Sequence, residues 1–86
     1  MDKAVIETIK EAITSKSTDH LRFDFEELTI SEDDFRDFRM LVQEIELEDG
    51  FLEFEDRHQE YDAIVFTGVE VSAPAHLLSD LVSMAM

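Results

Sequence analysis

The sequence predicts an α+β domain, a small and mostly antiparallel sheet of about four strands with helices packed on one face, in the order α-β-α-β-β-β-α. Helical spacing of apolar residues recurs near both ends and in the middle of the chain. Apolar and polar residues alternate from His20 to Phe25, and a run rich in β-branched residues follows from Tyr61 to Ser72. No linker or repeat divides the 86 residues, so we expect one domain over residues 1–86.

The N-terminal third is predicted to form a helix followed by a strand. The helix is expected from Asp2 to Ser15, on the helical spacing of Val5, Ile9 and Ala12. The strand begins at His20, and its alternation places three apolar residues on one face and Arg22 and Asp24 on the other. Leu28 and Ile30 are expected to extend this strand past an irregular Glu26-Glu27.

A second helix is predicted to begin at Ser31. The serine can cap the free amides of the first turn, and the acidic residues at positions 32–34 lie at the positive end of the helix dipole. The apolar residues that this helix is expected to bury are Phe35, Phe38, Leu41 and Val42.

The stretch EIELEDGFLEFED, with Asp49-Gly50 near its centre, admits two interpretations. We expect a hairpin, because Asp-Gly between alternating segments is a strong turn signal. A two-residue turn would pair Glu46 with Glu53 and Ile45 with Phe54. The hairpin would direct four apolar residues inward and expose Glu44, Glu46, Glu48, Glu53 and Glu55, with Phe51 the one apolar residue among them. The alternative is a helix that ends near Gly50 and leaves Leu47 on its outer face beside Met40.

The rest of the chain is predicted to complete the sheet and add a helix. We expect a turn from Arg57 to Glu60, and then the longest strand from Tyr61 to Ser72, in a central place with a bulge at Gly68. Ser72 and Pro74 open the last helix. Its residues expected to face the core are Leu77, Leu78, Leu81, Val82 and Ala85.

Composition excludes several classes of site. The chain has no cysteine, which excludes disulfides, thiolate zinc sites and cysteine nucleophiles. No HExxH or other metal-ligand spacing surrounds the three histidines, and no nucleophile motif surrounds the serines. An EF-hand ending at Asp56 fails because its first and third ligands would be Ile45 and Leu47. We therefore expect a protein that is not an enzyme and that has no metal and no cofactor.

The charge is the exceptional property of the chain. It has 22 acidic and 7 basic residues, for a net charge of −15. Such a charge disfavours binding to nucleic acid or to an anionic membrane. The N-terminus lacks the features of a signal peptide, and no apolar run is long enough for a membrane span, so we expect a cytoplasmic protein.

The distribution of this charge predicts a dedicated acidic surface. Residues 24–62 contain 16 acidic and 3 basic residues, whereas lysines remain in the first helix. Like charges directly opposed on a sheet lower stability, so the crowding of glutamates on the hairpin suggests a partner. The residues predicted to bind it are the five hairpin glutamates, Phe51 and Met40 as apolar anchors, and Asp33, Asp34 and Asp37 on the preceding helix.

Carboxylates spaced like phosphates can occupy a nucleic-acid-binding groove, because arginine binds both groups in bidentate fashion. We therefore expect an inhibitor that occupies the site of a basic nucleic-acid-binding protein or nuclease, in the manner of anti-restriction or anti-CRISPR proteins. One alternative is an immunity protein or antitoxin that neutralises a basic toxin. Another is an acidic assembly subunit that forms a homodimer or larger homo-oligomer, with Met40 and Met84-Ala85-Met86 buried between copies.

Overall fold

A computed structural model of the chain describes residues 3–85. Within them the sequence predicts the fold class and the order of elements correctly. The predicted first helical residue, Asp2, lies outside the described residues. The elements are α1 (Lys3–Thr14), β1 (His20–Ser31), a 3₁₀ turn (Glu32–Asp34), α2 (Phe35–Leu47), β2 (Phe51–Glu53), β3 (Asp56–Glu60), β4 (Ala63–Pro74) and α3 (Ala75–Met84).

The sheet is antiparallel and β4 is its central strand. It pairs with β1 along one side and with β2 and then β3 along the other. The two short strands keep one register against β4, since Leu52 lies opposite Val71 and Arg57 lies opposite Phe66. They therefore form two parts of a single edge strand, separated at Phe54 and Glu55.

Gly68 divides the long central strand into two halves. Its φ of 62° is left-handed, and the ladder to β1 omits the pair that it would form with Glu26. The buried face of β4 carries Val69 and Val71 after the glycine but Phe66 before it, so the alternation changes at this point. The pairing of β1 with β4 keeps one register on both sides of Gly68, so neither strand carries an extra residue and the bulge predicted there is wrong. The irregularity predicted at Glu26-Glu27 lies opposite this interrupted position.

The helices cover one face of the sheet. α2 and α3 contact the strands, and α1 packs mainly against α3. In α3 the predicted core residues Leu77, Leu78 and Leu81 are buried. On the other face of the sheet, Arg22, Asp24 and Glu53 are exposed. None of the helices described between residues 3 and 85 is long and apolar enough to cross a membrane.

The predicted hairpin at Asp49-Gly50 is wrong, and the alternative of a longer helix is correct. α2 continues to Leu47, which is 84% exposed, while Ile45 is fully buried. The Asp49 N–H donates to the Glu46 carbonyl at 3.1 Å, and the Gly50 N–H donates to the Ile45 carbonyl at 2.8 Å. This pair of bonds, with Asp49 at a φ of 63°, is the Schellman arrangement that ends many helices.

The error has a clear physical reason. The dipeptide Asp-Gly suits both a hairpin turn and a helix end. In each, aspartate tolerates the left-handed conformation and glycine allows another backbone to approach closely. At Gly50 the close approach is to β4, where an added Cβ would lie 2.2 Å from the Ser72 carbonyl oxygen. The dipeptide therefore joins α2 to the sheet instead of folding two strands onto each other.

The predicted turn from Arg57 to Glu60 is also wrong. These residues belong to β3, whose side chains are all exposed, and the turn follows at Tyr61-Asp62. An edge strand with both faces exposed has no apolar alternation for a sequence pattern to detect. The backbone pairing with β4 decides its conformation.

Candidate functional site

A row of three carboxylates crosses the open face of the sheet. Glu70 of the central strand lies directly opposite Asp24 of β1 on one side and Glu53 of β2 on the other. Directly opposed residues in an antiparallel sheet have Cβ atoms about 5 Å apart. The three acids thus lie in line across the strands, on a rigid backbone.

Two further carboxylates lie beside this row, where Gly68 interrupts the ladder. Glu26 and Glu55 line a shallow depression of about 410 Å³ together with Asp24, Glu70 and the glycine itself. The Glu55 side chain covers the Gly68 Cα so closely that an added Cβ would lie 2.7 Å from its Cγ and Cδ atoms. We call the set Asp24, Glu26, Glu53, Glu55 and Glu70 the acidic face.

One arginine and one aromatic ring border the acidic face. Arg22 forms an ion pair with Glu70, and its guanidinium carbon lies 5.8 Å from the centre of the Phe51 ring. Phe51 is only half-buried and lies on the edge strand, opposite Ser72 of the central strand β4. An aromatic ring at the rim of a charged surface is typical of an interface anchor. The predicted role of Phe51 therefore keeps a geometric basis in the corrected fold.

Among the described residues, 3–85, no group of three or more His, Cys, Asp or Glu is arranged so that it could hold a metal ion. The carboxylates of the acidic face are spread over a surface and do not converge on a point. Like charges directly opposed across two strands lower the stability of a sheet. The arrangement is therefore unfavourable for folding and suited to a partner that presents cations.

A second acidic region lies between α2 and α3. Four of the predicted residues, Asp34, Asp37, Met40 and Glu44, line a groove of about 400 Å³. The opposite wall is formed by Asp80, Ser83 and Met84 of α3. Four carboxylates and no basic residue line this groove, which we call the helix groove, and Met40 is 55% exposed in it.

The structure does not bring the ten predicted residues together. Only Glu53 and Glu55 of the five hairpin glutamates belong to the acidic face, since Glu44, Glu46 and Glu48 lie on α2 or at its end. Glu46 lines a third pocket, beside Arg39 and Arg57. The Glu48 carbonyl oxygen lies 2.8 Å from the His20 Nε2. Asp33 is exposed on the 3₁₀ turn and lines none of these depressions.

Sequence reasoning missed Asp24, Glu26 and Glu70 as members of the site. The alternation in β1 did place Asp24 on the polar face, and Glu70 stands between two buried valines. These signals show which way a side chain points on its own strand. They do not show which strands are neighbours, and the row of acids depends on β4 lying between β1 and β2.

No protein-family model matches the chain, and neither a curated protein nor a solved structure is significantly similar to it.

Proposed function

We propose that this protein is a binding protein, not an enzyme, whose acidic face occupies the nucleic-acid-binding site of a basic partner. The observation that carries the proposal is the row of Asp24, Glu70 and Glu53 across three strands. Carboxylates about 5 Å apart across strands and about 6.8 Å apart along them offer arginine and lysine a regular array of anions. The partner is an effector or nuclease that binds nucleic acid through such basic side chains.

The open face of the sheet supports this proposal in two further ways. The backbone is fixed by pairing on both sides of β4, so little ordering of the surface is needed on binding. The half-buried Phe51 beside Arg22 adds an apolar contact at the rim. Both features favour a specific interface over diffuse attraction between opposite charges.

The alternative of a homo-oligomeric subunit is disfavoured by the surroundings of its proposed contacts. Met40 lies among Asp34, Asp37 and Glu44, so a second copy would bring like charges together at this point. Met84 and Ala85 pack against the core of their own chain. Met86 lies outside the described residues. An immunity protein that neutralises a basic nuclease would use the same acidic face. The identity of the captured partner, a toxin nuclease or another nucleic-acid-binding effector, distinguishes the two functions.

The proposal is tested by capturing partners from a lysate of the source organism on the immobilised protein, at low and at high salt. A sheet variant, Asp24→Lys, Glu53→Lys and Glu55→Lys, reverses the charge of three of the five residues of the acidic face and keeps Glu70 for Arg22. A helix variant, Glu44→Lys, Glu46→Lys and Glu48→Lys, makes the same change of charge on α2 and at its C-terminal end. Each captured protein is then tested for binding to a labelled DNA or RNA in the presence of the wild-type protein.

We expect basic nucleic-acid-binding proteins to be captured at low salt by the wild type and by the helix variant, and to be lost from the sheet variant. The captured partner should release its labelled nucleic acid as wild-type protein is added. Equal loss from both variants would mean that net charge alone acts, and retention by the sheet variant would exclude the acidic face. A partner that keeps its nucleic acid at saturation would exclude occupation of its site.

A further inference from the structure

A pocket of about 270 Å³ lies between α2 and the edge strand formed by β2 and β3. Four of its ten lining residues are phenylalanines. Phe66, which is 1% exposed, forms the floor, and the Phe54 ring meets it edge-on at 4.8 Å between centroids. The rings of Phe38 and Phe35 lie 5.2 Å and 6.5 Å from the Phe66 ring, measured between centroids. Phe54 itself remains 44% exposed at the mouth.

Three of the four arginines of the chain lie at or beside this pocket. Arg39 and Arg57 line it, and Arg36 lines the adjoining depression together with Arg39. The guanidinium carbon of Arg57 lies 5.9 Å from the centre of the Phe35 ring. We call the pocket and these three cations the arginine pocket.

Among the residues that the structure describes, these three arginines form no ion pair, although acidic residues outnumber basic ones threefold in the chain. Within residues 3–85, the arginine found in an ion pair is Arg22, on the open face of the sheet. Glu46 is the one carboxylate that lines the pocket, and it forms no ion pair with Arg39 or Arg57. Glu32, beside Arg36, instead accepts a hydrogen bond from the Gln59 side chain. The guanidinium groups are therefore available to anions from outside the chain.

We propose that the arginine pocket binds a polypeptide segment of a partner in which an apolar, preferably aromatic, side chain is flanked by aspartate or glutamate. The apolar side chain packs among the four phenylalanines, and the flanking carboxylates bind Arg36, Arg39 and Arg57. The volume of about 270 Å³ is at the lower end of ligand sites, which measure about 300–1,000 Å³, and it accommodates an apolar side chain. The charge supports an acidic flank, since this is where the chain concentrates unpaired cations.

A segment of this kind differs from the ligand of the acidic face, and the two sites are independent. A basic partner bound to the acidic face does not need to contact the arginine pocket. A second copy of this chain is an unsuitable occupant, because its net charge of −15 repels another copy over the whole surface.

The test uses NMR titration of the ¹⁵N-labelled protein with three synthetic heptapeptides. The first has one phenylalanine flanked by aspartates, the second has lysines in place of the aspartates, and the third has alanine in place of the phenylalanine. The protein variant Arg39→Gln with Arg57→Gln removes both lining cations. Arg22→Gln is the matched control, because it removes the arginine of the open face.

We expect the aspartate peptide to shift the amides of residues 35–46 and 52–57, and the double variant to weaken it at least about tenfold. The Arg22→Gln control should bind as the wild type does. The lysine peptide should shift residues of the acidic face instead, and the alanine peptide should lose most of the binding.

Three results would overturn the proposal. Equal binding by the aspartate and alanine peptides would show that charge acts without the aromatic pocket. Equal binding by the double variant would exclude the arginines. Phenylacetate that binds as tightly as the aspartate peptide would assign the pocket to a small carboxylate and not to a polypeptide. None of these outcomes depends on the acidic face, so this proposal and the proposed function fail separately.

Discussion

The acidic face and the arginine pocket both crowd like charges, but the chain compensates them differently. On the acidic face, Glu70 has a carboxylate directly opposite on each side and one ion pair, to Arg22. At the pocket, the cationic Arg57 rests on the ring of Phe35. Aromatic faces attract cations, whereas neighbouring carboxylates only repel one another. Removal of a negative charge from the acidic face should therefore stabilise the fold, whereas removal of a positive charge from the arginine pocket should destabilise it.

The largest expected effect is that of a substitution at Gly50, which should disrupt both the acidic face and the arginine pocket. Gly50→Ala places a Cβ against the Ser72 carbonyl oxygen, 2.2 Å away, and forces β2 from β4. Because β2 supplies Glu53 to one region and Leu52 to the other, both should be disrupted. We expect the free energy of unfolding in urea to fall by about 3 kcal/mol. Asp49→Gly in the same turn should preserve or slightly raise stability, since glycine is preferred at that φ.

An intermediate effect is expected at the glycine that lies under the acidic face. Gly68→Ala should lower the free energy of unfolding by about 1.5 kcal/mol, because alanine is strained at a φ of 62°. The contact with Glu55 contributes less, since that side chain can move. The double variant Gly68→Ala with Glu55→Ala should therefore recover less than half of the loss. Full recovery would assign the effect to the side-chain contact.

A smaller effect tests the repulsion in the acidic face directly. Glu53→Gln should raise the free energy of unfolding by about 0.5 kcal/mol at low salt, because it removes the like charge opposite Glu70. The gain should shrink at high salt as screening increases. Glu11→Gln, an equal change on α1, serves as the control and should have less effect. A loss of stability in Glu53→Gln would contradict the view that this surface is unfavourable for folding.

An effect of the same size but of opposite sign is expected at the arginine pocket. Arg57→Gln should lower the free energy of unfolding by about 0.5 kcal/mol, because it removes the contact with the Phe35 ring. Arg36→Gln changes the net charge equally, and among residues 3–85 no ring contact is found for Arg36. The difference between the two variants isolates the ring contact. If both variants change the free energy of unfolding equally, the contact of Arg57 with the Phe35 ring does not stabilise the fold.

The candidate site was harder to predict than the fold. Glu53, Glu55 and Phe51 were correctly associated with a surface of carboxylates, but on the assumption that α2 ended before Glu44. Asp34, Asp37, Met40 and Glu44 were expected to extend that surface and instead line the helix groove. The arginine pocket was not predicted, because Phe54 was expected to pair with Ile45 in the hairpin and Arg57 was expected to lie in a turn.

The sequence by itself determined the elements whose apolar periodicity is strong. It also determined the α+β class, the cap at Ser31, where the Asp34 N–H donates to the serine hydroxyl at 3.3 Å, and the concentration of charge. Only the tertiary structure decided that Asp49-Gly50 ends a helix and that Glu70 lies between Asp24 and Glu53. The physical reason is that periodicity acts within one element, whereas strand order and close backbone contacts join residues distant in sequence.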